Sequence, residues 1–295
     1  MKPAAPTSPT SPTLLALGAI ALWGTLATLG VSLSHVPPFL LTGLALMVGS
    51  LVALPLSGFQ LRLWRVPLPT LALGIYGLFG FHFLLFVALR HAPPVQANLV
   101  NYLWPLFMVV LAPVFLEGLT LRLGHWLGAL LGFAGAAVAI LGGADVAIQG
   151  APIAWGWSWG YVPALGSAFI WASYSLLTKL VPAFPTAAIG GFALVSGLLS
   201  LLCHGLMEPS ASLTLQDGLL ILAMGLGPMG AAFFLWDRAL KVGDARQIGL
   251  LSYLTPLAST VLLIVVSGRA LTWPISLAGV LIIGGAWLGS DKKQA

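Results

Sequence analysis

Residues 101–107 read NYLWPLF, and residues 252–258, 151 positions further along the chain, read SYLTPLA. Both phrases lie inside long apolar runs, where a proline interrupts a helix and a polar side chain is costly. The similarity extends beyond the phrases, because residues 71–108 match residues 222–259 at 13 of 38 positions without gaps. The chain therefore contains an internal repeat that carries the same interruption twice.

The composition of the chain indicates that it is solvated by lipid. Of its 295 residues, 59% are hydrophobic and 6% are charged, with a mean hydropathy of +1.03, whereas a soluble domain carries about 25% charged residues. A membrane-spanning helix needs roughly 20 apolar residues. Ten such runs lie at 14–34, 38–57, 69–89, 95–116, 125–143, 161–179, 186–206, 218–240, 246–267 and 273–290. Because the runs are continuously apolar and do not alternate, we predict an all-α integral membrane protein with ten transmembrane helices.

The repeat divides these helices into two halves of five. Because five is odd, the second half crosses the membrane upside down relative to the first, which is an arrangement typical of secondary transporters. We predict a first five-helix repeat at 14–143, a periplasmic loop at 144–160 and an inverted second repeat at 161–290. Residues 1–13, rich in Pro, Ser and Thr, are predicted to be a disordered cytoplasmic tail, and 291–295 a second cytoplasmic tail. The first apolar run is long enough to span and is interpreted as a retained helix.

The basic residues favour one orientation of the chain. With a cytoplasmic N-terminus and ten alternating helices, ten Lys and Arg residues fall on the cytoplasmic side, and only Arg90 and Arg269 fall on the other. The ten are Lys2, Arg62, Arg65, Arg122, Lys179, Arg238, Lys241, Arg246, Lys292 and Lys293. This bias predicts that both termini are cytoplasmic. The net charge of +5 then reports topology, and we predict no nucleic-acid partner.

Several classes of chemistry are disfavoured by the residues present. Cys203 is the only cysteine, and the histidines fall in different segments without the spacing of metal ligands. A membrane enzyme acting on lipid-linked substrates would need clustered acids, histidines or metal ligands, and an ATP-driven pump would need a phosphate-binding loop. We therefore predict no enzyme activity, no metal and no cofactor.

The repeated phrases, the ten helices and the stretch 116–141 (LEGLTLRLGHWLGALLGFAGAAVAIL) resemble the drug/metabolite transporter superfamily of EamA type. The NYLWP phrase and the aromatic-rich midsection are similar to its aromatic amino-acid exporter branch. The resemblance implies the 5+5 inverted fold, a location in the bacterial inner membrane and export of small molecules. The alternative cargoes are purines, sugars or amphipathic drugs, with proton coupling as a further alternative.

The two repeated prolines are the first candidates for shaping a site. Pro105 would free the carbonyl of Asn101, and Pro256 that of Ser252, because a helical proline removes one N–H group. A free carbonyl at membrane depth is tolerated where it faces protein or a watered cavity. The bends therefore either line a cavity or only improve helix packing.

Polar and aromatic side chains at membrane depth supply the remaining candidates. Asn101 is predicted either to bind a ligand or to bond a neighbouring helix. His82 is predicted either to donate a hydrogen bond to a carboxylate or sense protons, or to be a satisfied core residue. Aromatic rings would favour a flat cargo, although any single ring can simply pack. The predicted cavity residues are Trp23, Tyr76, His82, Phe83, Asn101, Tyr102, Trp104, Trp171, Tyr174, Trp236, Ser252 and Tyr253.

Two further expectations concern neighbouring residues. Tyr102 and Trp104 are about 200° apart on a regular helix, so we expect only one of them to face the cargo. Asp237 and Lys241 are interpreted as a solvated pair of slight value near a helix end. Because no Asp or Glu is then predicted deep in a helix, we favour a uniporter driven by the substrate gradient.

Small residues form stripes on the fifth and tenth predicted helices. Such stripes allow two helices to approach closely. They either pair the two helices within one chain or form a dimer, and we predict a monomer. The stripes are Gly124, Gly128, Gly132 and Gly135, and Gly279, Gly284, Gly285 and Gly289.

Overall fold

The computed structural model describes residues 11–147, 156–266, 268 and 272–290. Within these ranges all regular secondary structure is helical, with eight helices long and apolar enough to cross a membrane and two shorter apolar ones. They are α1 (Pro12–Ser32), α2 (Pro38–Leu56), α3 (Leu68–His91), α4 (Pro94–Phe115), α5 (Leu123–Ala147), α6 (Tyr161–Leu177), α7 (Thr186–Met207), α8 (Leu215–Val242), α9 (Ala245–Val266) and α10 (Trp273–Leu288). The prediction of an all-helical, multi-pass membrane protein is confirmed. The predicted tail at 291–295, residues 1–10 of the predicted tail at 1–13 and residues 148–155 of the predicted loop at 144–160 lie outside the described residues.

Proline starts many of these helices. The helices α1, α2, α3, α4 and α10 each have a proline in their first turn. At that position the missing N–H group costs nothing, because the first N–H groups of a helix have no partner within it. The helix α8 begins instead with a capping box, in which Thr214 and Asp217 bond each other's backbone N–H groups. A proline at these positions is therefore compatible with the helix that follows it.

The helices are interrupted at corresponding places in the two halves. In α3 a π-helical segment covers Tyr76–Gly80, and in α8 another covers Gly227–Ala231. Adding the repeat distance of 151 to 76 and 80 gives 227 and 231. In the same way α4 begins at Pro94 and α9 at Ala245, and 94 plus 151 is 245. The sequence repeat is therefore also a repeat of backbone geometry.

The interruption in the NYLWPLF phrase differs in detail from the predicted bend. The first piece of α4 ends at Asn101, Tyr102 and Leu103 form a turn, and a second piece runs over Trp104–Phe115. Pro105 is the second residue of that second piece, and Pro256 is the third residue of the piece Leu254–Val266 that follows the break in α9, so both lie in a first turn. Each proline therefore starts a new helical piece, where its fixed φ is favourable, and does not bend a continuous helix.

Hydrogen bonds between loops gather alternate helix connections at one face of the bundle. Between α6 and α7, Lys179 donates to the carbonyl oxygen of Gly243, which precedes α9, at 2.8 Å. At the start of α9, Arg246 donates to the carbonyl oxygen of Thr120, which lies between α4 and α5, at 2.8 Å. We call this end of the molecule, which holds Lys179 and Arg246, the basic face.

The opposite face is organised around a buried carboxylate. Glu208 follows α7, and only 1% of its side chain is exposed. It accepts hydrogen bonds from the backbone N–H groups of Phe39 and Leu40 at the start of α2. It also pairs with Arg90 in the last turn of α3 at 2.8 Å and with His204 at 3.0 Å. One side chain thus joins three helix ends, and its charge lies at a helix N-terminus, which favours an anion.

Glu208→Gln is expected to destabilise the protein by about 1–3 kcal/mol, because it removes the charge that pairs with Arg90 and His204 from a side chain that is only 1% exposed. Thermal unfolding in detergent, followed by tryptophan fluorescence, measures the change. Glu117→Gln, at an exposed residue, is the matched control. Equal unfolding temperatures for the two variants would contradict a structural role of the Glu208 charge.

The glycine stripes of α5 and α10 pack against each other inside the chain. A Cβ atom built on Gly285 would lie 2.7 Å from the carbonyl oxygen of Gly128 and 2.9 Å from the nitrogen of Gly132. A Cβ atom built on Gly124 would lie 2.7 Å from the carbonyl oxygen of Leu288. The two backbones are therefore in contact along the stripe, and the intrachain alternative is confirmed.

Candidate functional site

A cavity of about 440 Å³ lies between the halves of the bundle. Its volume is within the range of small-molecule pockets, about 300–1,000 Å³. It begins in the middle of the helices and extends past Leu89, near the end of α3, and Leu41, near the start of α2, toward the opposite face. Its walls include Trp23, Leu26, Ala27, Leu41, Thr42, Phe81, His82, Leu85, Phe86, Leu89, Asn98, Asn101, Tyr102, Trp104, Trp171, Met224, Met229, Phe233, Thr255 and Ser259.

The inner end of the cavity is formed by four tryptophans from four helices, Trp23, Trp104, Trp171 and Trp236, which we call the tryptophan cluster. All six pairs are in contact, with ring centroids 5.1–6.5 Å apart. Trp23, Trp104 and Trp171 line the cavity, whereas Trp236 is 1% exposed and lies behind them. Most pairs are edge-on or tilted, the geometries that aromatic quadrupoles prefer.

Two members of the cluster have fixed polar edges. The indole N–H of Trp23 donates to the carbonyl oxygen of Pro228 at 3.1 Å, and that of Trp236 donates to Ser175 Oγ at 3.1 Å. Pro228 belongs to the π-helical segment of α8. The irregular backbone of α8 therefore provides the carbonyl that accepts from Trp23. The two hydrogen bonds fix the orientations of the Trp23 and Trp236 rings in the absence of a ligand.

His82 is the titratable side chain that lines the cavity beside these rings. Its Nδ1 lies 2.6 Å from the carbonyl oxygen of Leu78, and because a carbonyl only accepts, Nδ1 carries the proton. In the neutral ring Nε2 is then an acceptor. In this tautomer the N–H of the neutral ring is already bonded to the backbone, so donation to a ligand carboxylate stays a prediction for the protonated ring, whose Nε2 also carries a proton.

Further polar groups stand on the same walls. Asn101 accepts a hydrogen bond from Ser167 Oγ at 2.8 Å through its Oδ1, so its amide N–H groups are what it can offer to a ligand. Thr255 Oγ1 is buried without a hydrogen-bond partner among the described residues. A ligand that reaches these positions meets aromatic faces at the inner end and amide, hydroxyl and imidazole groups at the sides.

Six of the twelve predicted residues line the cavity: Trp23, His82, Asn101, Tyr102, Trp104 and Trp171. The other six do not. The hydroxyl of Tyr76 bonds Ser173 Oγ at 2.8 Å, and Phe83 packs on Phe39 and Phe79. These two side chains leave α3 on the faces that meet α6 and α2, which periodicity without neighbours could not distinguish from the cavity face.

The remaining four predicted residues are buried behind the wall. Tyr174 packs on Trp171 at 5.5 Å, and Trp236 closes the cluster from behind. Ser252 donates to the carbonyl oxygen of Gly249 at 2.5 Å, and Tyr253 packs against Gly132 of α5. In these positions their side chains support the wall and make no direct contact with the cavity.

Tyr102 and Trp104 both line the cavity, so the expectation that only one of them faces it is wrong. The angle of about 200° assumes a regular helix. The chain instead leaves the helix after Asn101 and resumes it at Trp104. The intervening turn resets the rotation, and both rings reach the same space.

Several wall residues were not predicted, and the repeat contains the signal for two of them. Adding 151 to the predicted residues His82 and Trp104 gives Phe233 and Thr255, which both line the cavity. The rings of His82 and Phe233 even meet, with centroids 6.5 Å apart. Applying the repeat to each candidate residue would have found these two, whereas Met224, Met229 and Ser259 carry no comparable signal.

Asp237 and Lys241 are not the solvated pair that their spacing suggested. Asp237 is 4% exposed, and its Oδ2 accepts from Lys241 Nζ at 2.6 Å and from Thr186 Oγ1 at 2.6 Å. Burial arises because the start of α7 packs over the end of α8, a contact between residues far apart in the chain. A buried carboxylate thus lies between the tryptophan cluster and the basic face.

A bundle of apolar helices around an internal, aromatic-walled cavity of this size is the architecture of a membrane protein that handles small molecules. Among the described residues, His, Cys, Asp and Glu side chains form no group of three that could hold a metal ion. The profile of the EamA-like transporter family matches residues 10–141 and again residues 158–290. The chain belongs to this family of transporters.

The named relatives are bacterial exporters. The chain is 42% identical to the aromatic amino acid exporter YddG of Ancylobacter novellus, over 92% of this chain and 94% of that protein. It is 31% identical to a probable amino-acid metabolite efflux pump of Salmonella typhimurium, over 93% of each chain. A solved crystal structure with 42% sequence identity superposes with a TM-score of 0.86 and covers 95% of this chain and 96% of that one.

Proposed function

We propose that the protein is a secondary transporter that exports amino acids, above all Phe, Tyr and Trp, and related small metabolites across the bacterial inner membrane. The observation that carries the proposal is the cavity that ends on three tryptophan rings. The names of the two relatives, an aromatic amino acid exporter and a probable amino-acid metabolite efflux pump, support the same cargo.

The cavity offers a partner for each part of such a cargo. The ring packs against Trp23, Trp104 and Trp171, at about 0.5–1.5 kcal/mol per aromatic pair beyond the area buried. The amide N–H groups of Asn101 donate to the carboxylate, and Nε2 of neutral His82 accepts from the ammonium group. Because the Asn101 amide and neutral His82 carry no net charge, they can bind a zwitterion without holding it so tightly that it cannot leave the site.

We propose alternating access as the mechanism. The 5+5 inverted repeat, with halves at 14–143 and 161–290, is supported by the two matches to the family profile and by the π-helical segments 151 residues apart. Rocking of the halves about the cavity would expose it to either side. The positive-inside bias makes the basic face cytoplasmic, with both termini there, and the opposite face periplasmic.

In this orientation the described conformation is open toward the periplasm and closed toward the cytoplasm. Leu15, Ala16 and Ala19 of α1 are buried, as are Ala239 and Leu240 of α8, where the two helices pack near the basic face. The residues described as lining the cavity include no Asp or Glu. We therefore propose a monomeric uniporter, which the outward substrate gradient drives.

Purified protein in liposomes loaded with labelled phenylalanine tests the proposal. Efflux is expected to exceed that from protein-free liposomes and to be the same with and without a pH gradient. Competition by tryptophan, a purine, a sugar and a cationic drug identifies the preferred cargo. Efflux equal to the protein-free control would refute amino-acid export, and efflux that requires the gradient would refute uniport.

A further inference from the structure

A second polar site lies outside the cavity, between the tryptophan cluster and the basic face. The ammonium group of Lys241 lies 2.6 Å from Asp237 Oδ2, 2.9 Å from the carbonyl oxygen of Phe184 and 3.3 Å from Thr186 Oγ1. The same nitrogen stands 3.9 Å from the centroid of the Phe184 ring. A primary ammonium group has three N–H donors and no acceptor, so three oxygens and one aromatic face match it completely.

The groups that surround the ammonium belong to Phe184, Thr186 and Asp237, and Lys241 is the occupant of the site. Phe184 and Thr186 stand at the start of α7, and Asp237 lies on α8, one helical turn before Lys241. Thr186 Oγ1 donates to Asp237 at 2.6 Å, which orients the hydroxyl lone pairs toward the ammonium. Lys241 enters on a flexible four-carbon stem and is 29% exposed, whereas the Asp237 side chain is 3% exposed. Phe184 and Asp237 are buried and Thr186 is partly buried, whereas the occupant is the more exposed group.

The site also has more acceptor capacity than the lysine uses. Asp237 Oδ1 is buried and has no hydrogen-bond partner among the described residues. A buried carboxylate oxygen without a partner is costly. The cost is relieved if a second occupant, with its donors in a different arrangement, replaces Lys241 during the transport cycle.

We infer that Phe184, Thr186 and Asp237 form a recognition site for the α-ammonium group of an amino acid arriving from the cytoplasm, and that Lys241 occupies it as a tethered stand-in while this face is closed. This inference rests on the proposed function and names an entry site for its cargo. When the basic face opens, Lys241 swings into water and the cargo ammonium takes its place. Closing returns Lys241 and releases the cargo toward the tryptophan cluster.

The cation that corresponds to Lys241 in the repeat lies at the opposite face, where its carboxylate partner has a different set of contacts. Arg90 corresponds to Lys241, since 90 plus 151 is 241, and its guanidinium lies over the Phe39 ring at 5.5 Å and pairs with Glu208. Glu208, however, also accepts from two backbone N–H groups and pairs with His204. Both oxygens of Glu208 are bonded to groups that hold the helix ends together. The proposed ammonium site therefore lies at the basic face, where an exporter takes up its cargo. The control position is Arg62, an exposed cation that bonds Gln60 and belongs to neither ion pair.

The kinetic test uses opposite changes at the two ends of one ion pair. Asp237→Asn removes the receptor charge and is expected to raise the KM for phenylalanine presented to the basic face about tenfold or more. Lys241→Met removes the competitor and is expected to lower that KM severalfold. Arg62→Met, at an exposed residue, is expected to leave it unchanged. If the pair only latches the closed face, both changes weaken the same latch, and KM moves in the same direction for both, which would overturn the inference.

A binding test is independent of transport. Lys241→Ala vacates the site, and n-butylammonium, which matches the lost side chain, is expected to bind it saturably and change the fluorescence of the neighbouring Trp236. The signal is expected to be lost in the Asp237→Asn/Lys241→Ala double variant and to be absent from Arg62→Ala. No saturable signal in Lys241→Ala overturns the ammonium site while leaving wild-type phenylalanine export to stand. Binding without any phenylalanine export supports the site and refutes the proposed cargo.

Discussion

Replacing Trp171 by alanine is expected to reduce kcat/KM for phenylalanine export about 100-fold. Its ring touches the other three members of the tryptophan cluster and also Phe81, Tyr174 and Phe233. Alanine removes one wall of the cavity and lets the other rings tilt into the space. The cargo loses one aromatic contact, worth about 0.5–1.5 kcal/mol, and the displaced neighbouring rings weaken its contacts with Trp23 and Trp104, which together give an effect of this size.

The experiment must distinguish the loss of one cavity wall from unfolding of the protein. Trp171→Phe retains a ring and is expected to keep an intermediate rate, and Trp273→Ala, at a position 75% exposed at the start of α10, is expected to transport like wild type. Initial efflux rates from proteoliposomes and unfolding temperatures in detergent are measured for all three. Full export by Trp171→Ala, or an equal loss in Trp273→Ala, would contradict a cavity that recognises its cargo through this ring.

The fold was largely predictable because its determinants are local. Runs of apolar residues predict the helices, and the recurrence of Pro105 as Pro256 predicts where α4 and α9 are interrupted. The manner of the interruption was not predictable in the same way. The turn at Tyr102 and Leu103 changes the rotation of everything after it, and a helical wheel drawn through it assigns the wrong face.

Half of the site could be predicted, because depth in the membrane is visible in the sequence but direction around a helix is not. Trp171 and Trp236 are both at membrane depth, yet only the first lines the cavity. Asp237 shows the same limit for a charge: its burial depends on Thr186, 51 residues earlier in the chain. The i, i+4 spacing on α8 predicts that Asp237 contacts Lys241, but it does not predict that this ion pair is shielded from water.

The second large effect concerns stability and arises where α5 and α10 meet. Gly128→Leu is expected to destabilise the protein by at least about 1–3 kcal/mol, the usual cost of overpacking. A Cβ atom on Gly128 would lie 2.5 Å from the carbonyl oxygen of Gly285 and 3.0 Å from the Cα of Gly289. Both obstacles are backbone atoms, so no side-chain rotation relieves the clash and the two helices must separate.

Gly284→Leu is the matched control, because a Cβ on Gly284 meets nothing within 4 Å although the residue is adjacent to Gly285. Unfolding temperature and molecular mass in detergent are measured together for both variants. Since the stripe is occupied within the chain, the loss of stability in Gly128→Leu is expected at every protein concentration. If the stripe instead joined two chains, the same substitution would halve the molecular mass and leave the unfolding of each chain unchanged. That outcome would show that the glycines serve association and do not hold the two halves together.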